Sequence, residues 1–183
     1  MINFLYIFLA LLISIILHEA GHMISALLCG VKVNAFSIGF GKPYLHKKIW
    51  GIDFRLTPFL LGGYTALAGE YDKYNRGFLA QPYRKKVIIL LSGVLTNFLI
   101  AFVCYLINYG SIKIGLNIDF ALMKSVFTKN FTEIFLLLEM FKPNLFLLQL
   151  SLISFFCGIF NLIPFPSLDG GFLWLVFLEK KIN

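Results

Sequence analysis

Charged side chains are scarce in this chain of 183 residues. They make up 14% of it, against about a quarter in a typical soluble domain. Apolar residues account for 59% of the chain, and its mean hydropathy is +0.84. A soluble domain of this length would struggle to bury so much apolar surface. The composition therefore predicts an integral membrane protein, and the length suits a single domain over 1–183.

No lysine or arginine precedes Lys32, so the N-terminal apolar run lacks the positive start of a cleaved signal peptide. The run from Ile2 to about Cys29 is long enough to cross the hydrocarbon core as a helix. Val87 to about Tyr109 and Leu145 to Ile163 predict two more spans. The predicted fold class is an α-helical membrane protein with about three spanning helices.

Cysteines are also few, and no two of them are close in sequence. Cys29, Cys104 and Cys157 each lie in or beside an apolar run. Such positions favour small buried side chains over disulfides or metal ligands.

The net charge of +7 is concentrated in one segment. Residues 30–86 contain ten Lys or Arg against three acidic residues, whereas 110–143 contain four against three. The positive-inside rule places the first segment in the cytoplasm and the second outside. The N-terminus should then lie outside and the C-terminus, with Lys180 and Lys181, in the cytoplasm. The chain has no Arg-rich helix or basic-aromatic platform, so we expect no nucleic-acid partner.

Against this apolar background, His18, Glu19 and His22 lie near the end of the first span. On a helix the two histidines share one face at i and i+4, so both imidazoles can reach one metal ion. Glu19 stands beside them, placed to handle the proton of a bound water. Histidines satisfied within a helix bundle and a proton relay are the alternative readings.

Residues 30–67 have the alternation and turn chemistry of β structure. Lys32–Ile38 and Ile49–Leu56 alternate, and Thr57–Tyr64 forms an apolar strand. A plain cytoplasmic hairpin and an edge strand that pairs with an extended peptide are both open. A polar linker follows over Glu70–Lys86.

Further along the chain, Phe131–Phe141 is a candidate interfacial helix. Phe172–Leu178 is apolar but too short to span the membrane.

The third span ends in two prolines, Pro164 and Pro166, which should break the helix near or within the membrane. Broken helices at this depth are tolerated where they line a site. Asp169 follows the break, in the half of the membrane where the two histidines lie, and is a candidate third metal ligand. In the second span, Asn97 is a polar group that serves either helix association or the site.

These residues resemble the site-2 proteases, a family of intramembrane zinc metallopeptidases. His18–His22 fits the family's HExxH helix, and Asn161–Gly171 fits its NxxPxPxLDG motif. Phe36–Gly41 with Leu61–Tyr64 resembles its membrane-associated β hairpin, and Ser92–Asn97 resembles the small-residue stretch of its second helix.

The resemblance implies one zinc ion held by His18, His22 and Asp169, with Glu19 as catalytic base. It implies that the substrate is a membrane-spanning segment of another membrane protein, such as an anti-sigma factor or a signal-peptide remnant. Asn161 would hold the substrate backbone, and an edge strand at Gly62, Gly63 and Tyr64 would pair with it. We add Asn97 as a candidate substrate contact. The expected location is a bacterial cell membrane.

Two departures from the family pattern qualify this interpretation. The segment 110–143 has no room for a PDZ domain, so substrate selection would rest on the membrane parts or on a partner protein. The chain also stops at Asn183, before the further spanning helix that many members carry. A metal or proton transporter using the same His and Asp residues is the alternative function, and the oligomeric state is open.

Overall fold

The computed structural model describes residues 2–69 and 77–182, so residues 70–76 of the predicted linker lie outside it. The helices are α1 (Ile2–Leu28), α2 (Tyr83–Tyr109), α3 (Ile112–Thr128), α4 (Thr132–Phe141), α5 (Leu145–Asn161) and α6 (Asp169–Ile182). The strands are β1 (Val33–Phe40), β2 (Leu45–Ile49), β3 (Ile52–Leu56) and β4 (Phe59–Leu67).

Three helices, α1, α2 and α5, pack against one another. Ala10, Cys104 and Leu150, one from each helix, form a buried apolar cluster between them. In the described part of the chain, α1 and α2 are long and apolar enough to cross a membrane. The third predicted span corresponds to α5, which is apolar but has 17 residues. The count of three spans therefore stays a prediction.

The predicted β hairpin is a four-stranded mixed sheet with strand order β2-β3-β1-β4. Strand β1 is parallel to β3 and antiparallel to β4. The single strand predicted over Ile49–Leu56 was wrong, because a tight turn at Trp50 and Gly51 separates β2 from β3. Both turn residues have positive φ, 50° and 82°. Tryptophan rarely adopts this conformation, so the alternating pattern hid the turn.

Helix α2 begins at Tyr83, one turn before the predicted start at Val87, and Pro82 precedes it. Pro82 has a φ of −62°, which suits the residue before a helix. The added turn carries Lys86, whose side chain is 96% buried.

The segment after α2 folds into α3 and α4. The candidate interfacial helix Phe131–Phe141 coincides with α4, while α3 was not expected. Asp119 of α3 is fully buried, and its carboxylate accepts a hydrogen bond of 2.5 Å from the Tyr105 hydroxyl of α2. This contact ties α3 to the end of α2.

The predicted helix break after the third span is confirmed. Helix α5 ends at Asn161, and α6 begins at Asp169, after both prolines. The predicted apolar stretch Phe172–Leu178 lies within α6. At its far end, Glu179 accepts hydrogen bonds of 2.7 and 3.0 Å from Lys86 Nζ. Helix α6 is therefore attached to α2, and its first residue is held near the histidines.

Candidate metal centre and its cavity

The side chains of His18, His22 and Asp169 converge on one point. The two Nε2 atoms lie 3.1 Å apart, and each lies 3.2 Å from Asp169 Oδ2. Both histidines are on α1 and more than 90% buried, while Asp169 approaches from the start of α6. Within the described residues, this is the one group of three metal-ligating side chains close enough to share an ion.

The hydrogen bonds of His22 fix which of its nitrogens faces the other two ligands. Its Nδ1–H donates to the carbonyl oxygen of Ile89 on α2, at 2.8 Å. Neutral His22 then presents the Nε2 lone pair to Asp169, whose carboxylate is also an acceptor. Acceptors that converge in this way are satisfied by a shared cation. Backbone carbonyls commonly orient metal-binding histidines through the same contact.

Small residues let α2 approach the histidine rings. A Cβ atom added at Gly93 would lie 2.8 Å from both His18 Cε1 and His22 Cδ2 and would run into His22 Nε2. A Cβ at Gly21 would lie 2.8 Å from the Ser92 carbonyl oxygen. Both glycines therefore permit an α1–α2 contact that larger residues would push apart.

A compact turn returns the chain to the histidines after α5. Cβ atoms at Gly170 and Gly171 would collide with the backbone carbonyls of Leu162 and Phe165. These contacts explain why two glycines follow Asp169. The turn brings Asp169 to His22, which is 147 residues away in sequence, and to His18.

A cavity of about 300 Å³ opens beside the three ligands. His18, Glu19 and Asp169 line it, together with residues from α1, α2, α5 and the sheet. The remaining lining residues are Leu11, Ser14, Ile15, Phe40, Leu61, Gly62, Gly63, Asn97, Cys157, Asn161, Ser167 and Leu168. The carboxylate next to the first histidine thus shares one space with the candidate metal ligands.

The structure places four of the five predicted substrate contacts on this cavity. Gly62 and Gly63 contribute from β4, Asn97 from α2 and Asn161 from the end of α5. Asn97 is 1% exposed, and its Oδ1 atom has no hydrogen-bond partner within the described residues. The Asn161 amide donates to the Cys157 carbonyl oxygen at 3.0 Å.

Tyr64, the fifth predicted contact, is not among the residues that line the cavity. Its hydroxyl accepts a hydrogen bond of 3.0 Å from Arg55 Nη1. Arg55 Nε also donates to the Asp53 carboxylate at 2.7 Å, which lowers the pKa of Asp53 below its usual range. Tyr64 therefore belongs to a polar cluster on the sheet.

Sequence reasoning missed Thr65, which contacts the candidate base. Its Oγ1 lies 3.0 Å from Glu19 Oε2 and 3.0 Å from the Glu19 carbonyl oxygen. It also missed the orienting carbonyl of Ile89, because backbone groups leave no signal in side-chain identity. Thr65 directly follows the predicted substrate contacts Gly62–Tyr64. This position was the only indication in the sequence that it lies near the site.

Together, the fold and the site define a largely helical protein in which His18, His22 and Asp169 form a candidate metal centre, with the two histidines in an HExxH pattern. Comparison with known proteins identifies its family. A family model described as peptidase family M50 matches residues 6–183. The chain therefore belongs to peptidase family M50, the site-2 protease family.

Three bacterial relatives carry the name "putative zinc metalloprotease". One from Neisseria meningitidis is 40% identical over 106 residues, which are 55% of this chain and 24% of the relative. One from Campylobacter jejuni is 38% identical over 125 residues, 62% of this chain and 33% of the relative. One from Helicobacter pylori is 40% identical over 111 residues, which are 56% of this chain and 32% of the relative. The matched region thus spans about a quarter to a third of these relatives.

Family membership and the two long apolar helices together support a membrane protein. The family is membrane-embedded. The candidate metal centre is formed by α1, a helix long enough to span, and by the start of α6.

Proposed function

We propose that this chain is the core of an intramembrane zinc metallopeptidase that hydrolyses peptide bonds in or near membrane-spanning segments of other proteins. One observation carries the proposal. The donor atoms of His18, His22 and Asp169 lie within 3.2 Å of one another beside a cavity that Glu19 also lines. A metal site alone needs no such carboxylate, whereas hydrolysis does.

The donor set suits zinc. Ligands at tetrahedral corners, 2.0–2.2 Å from a zinc ion, stand about 3.3–3.6 Å apart. The observed separations of 3.1–3.2 Å need little adjustment to reach that range. Two imidazoles and one carboxylate also form a common set for catalytic zinc, which keeps a fourth position open.

Bound zinc would supply Lewis acidity, which polarises a peptide carbonyl and makes a water molecule acidic near neutral pH. Glu19 would take the proton from the attacking water and deliver it to the leaving amine. The water oxygen would add to the peptide carbonyl carbon, and the C–N bond would then break as the nitrogen takes the proton from Glu19 and leaves as an amine. Because water is the nucleophile, no covalent enzyme intermediate forms. His22 is held for its role by Ile89, and Asp169 by the turn that begins α6.

Strand β4 provides a place for an unwound substrate. It is at the edge of the described sheet, next to β1. Leu61, Gly62 and Gly63 bring this edge into the cavity, and Leu61 is 76% exposed. An extended peptide can add to such an edge through main-chain hydrogen bonds. Asn161 and Asn97, on the other walls, would contact the substrate backbone.

The charge pattern supports an orientation with the N-terminus outside and the sheet in the cytoplasm. The metal centre would then lie towards the cytoplasmic half of the membrane. Without a PDZ domain in 110–143, substrate choice would rest on the cavity, on β4 or on a partner protein.

Membrane proteomics tests the proposal by comparing cells that carry the native chain with cells that carry Glu19→Gln. We expect one or a few membrane proteins to accumulate with an uncut spanning segment in Glu19→Gln cells. Glu133→Gln is the matched control, because this glutamate is exposed on α4 and pairs only with Lys124 within the described residues. Identical membrane proteomes in native and Glu19→Gln cells would contradict the proposal.

A further inference from the structure

Thr65 of β4 reaches across to the candidate base on α1. Its hydroxyl lies 3.0 Å from both Glu19 Oε2 and the Glu19 backbone oxygen. Thr65 pairs with Phe36 of β1, and Phe36 belongs to the buried core. The side chain of Thr65 therefore faces the helices, on the same side of the strand as Gly63.

Helix α1 carries Glu19 but provides no hydrogen bond to its carboxylate. Over residues 2–69 and 77–182, Thr65 is the one donor to that carboxylate. Gly63 lies close to the same side chain, since a Cβ added there would lie 3.0 Å from Glu19 Cγ. Strand β4 thus contacts Glu19 through Thr65 and leaves room for its side chain at Gly63, the preceding position on the same face.

We propose that Thr65 is a positioning residue that holds Glu19 in its proton-transfer rotamer, so that the edge strand also orients the base. The inference rests on the proposed function. A glutamate side chain has three rotatable bonds, and one hydrogen bond to Oε2 restricts them while leaving Oε1 available to water. A general base must come within about 2.6–3.2 Å of the proton it removes, and a misplacement of about 1 Å can cost about 100-fold in rate.

The same geometry couples the base to substrate binding. A peptide that adds to β4 along Leu61–Gly63 would restrain the strand that carries Thr65. The base would then be best ordered when a substrate strand is in place. A neutral hydroxyl donor suits this role, because it restrains the carboxylate without adding a charge.

The kinetic test compares Thr65→Val, which keeps the shape, with Thr65→Ser, which keeps the hydroxyl. The probe is labelled β-casein, an unfolded chain, in detergent with the zinc-loaded protein. We expect Thr65→Val to lower kcat about 10- to 100-fold, with KM and zinc content within twofold of wild type. Thr65→Ser should stay within threefold of wild type.

Thr57→Val is the matched control. Thr57 also lies next to the sheet, and its hydroxyl donates to the Ile38 carbonyl oxygen at 3.0 Å, but it does not line the cavity. The Thr57→Val protein should have the same kcat as wild type. A Thr65→Val protein with more than half of the wild-type kcat would overturn the inference, and so would a Thr65→Ser protein no better than Thr65→Val.

A second measurement needs neither zinc nor turnover and identifies the acceptor. In the metal-free protein, Thr65→Val should lower the unfolding temperature, and the shift should at least halve in a Glu19→Ala background. An equal shift in both backgrounds would show that the hydroxyl serves the backbone oxygen instead, which would overturn the inference. If wild type binds zinc but cleaves nothing, the proposed function fails. If wild type cleaves and Thr65→Val matches it, this inference alone fails.

Discussion

Gly93→Ala places one methyl group directly against the metal ligands. The added Cβ would lie 2.8 Å from His18 Cε1 and from His22 Cδ2, whereas ordinary contacts begin at 3.4 Å. The rings or α2 must therefore shift by at least about 0.6 Å, and further where the Cβ would run into His22 Nε2, whereas metal–ligand distances tolerate about 0.2 Å. Overpacking of this kind typically costs about 1–3 kcal/mol. If the zinc-bound state bears that cost, zinc affinity falls about 5- to 150-fold.

Zinc affinity can be measured by stripping the detergent-solubilised protein of metal and titrating zinc against a competing chelator. Gly158→Ala is the matched control, because its Cβ would meet the ring of Phe98 at 2.8 Å and touches no metal ligand. Both variants should lose stability, but only Gly93→Ala should lose zinc affinity. Wild-type affinity in a folded Gly93→Ala protein would refute the close packing of α2 on the histidines.

Two further predictions concern buried ionisable side chains that hold the helices together. Burial raises the pKa of Asp119 from 3.8 to about 7, so the folded protein keeps a proton that the unfolded chain releases as the pH rises between these values. Stability should therefore fall by up to about 4 kcal/mol from pH 4 to pH 7, and Asp119→Asn should flatten that fall in thermal unfolding. An unchanged pH profile in the variant would contradict the assignment. Glu179→Gln leaves the buried Lys86 ammonium without its ionic partner and should lower the free energy of unfolding by about 1–3 kcal/mol. The exposed-pair variant Glu133→Gln should change it by less than about 0.5 kcal/mol, and equal effects of the two variants would contradict the burial argument.

The sequence predicted that His18 and His22 would meet, because their spacing is a local property. His18 and His22 are one helical turn apart, so any helix brings them together. Asp169 is remote in sequence, but Pro164 and Pro166 marked where the last apolar helix had to break. The predicted charge asymmetry then suggested that the break lies at the depth of the histidines.

The sheet and the contacts around Glu19 could not be predicted in the same way. The turn at Trp50 depends on a backbone conformation that tryptophan rarely adopts, so the pattern there favoured one continuous strand. The parallel pairing of β1 with β3 is a tertiary choice that alternation does not encode. The Thr65 hydrogen bond depends on how β4 packs against α1, and that packing is defined only in the folded chain.

The most direct test of the account compares Glu19→Gln and Asp169→Asn with wild type, measuring bound zinc and cleavage of labelled β-casein on the same preparations. The account predicts about one zinc per chain and cleavage in wild type. It predicts full zinc but at least a 100-fold loss of cleavage in Glu19→Gln, a loss typical of removing a general base, and loss of both zinc and cleavage in Asp169→Asn. Wild-type cleavage by Glu19→Gln, or full zinc binding by Asp169→Asn, would contradict it.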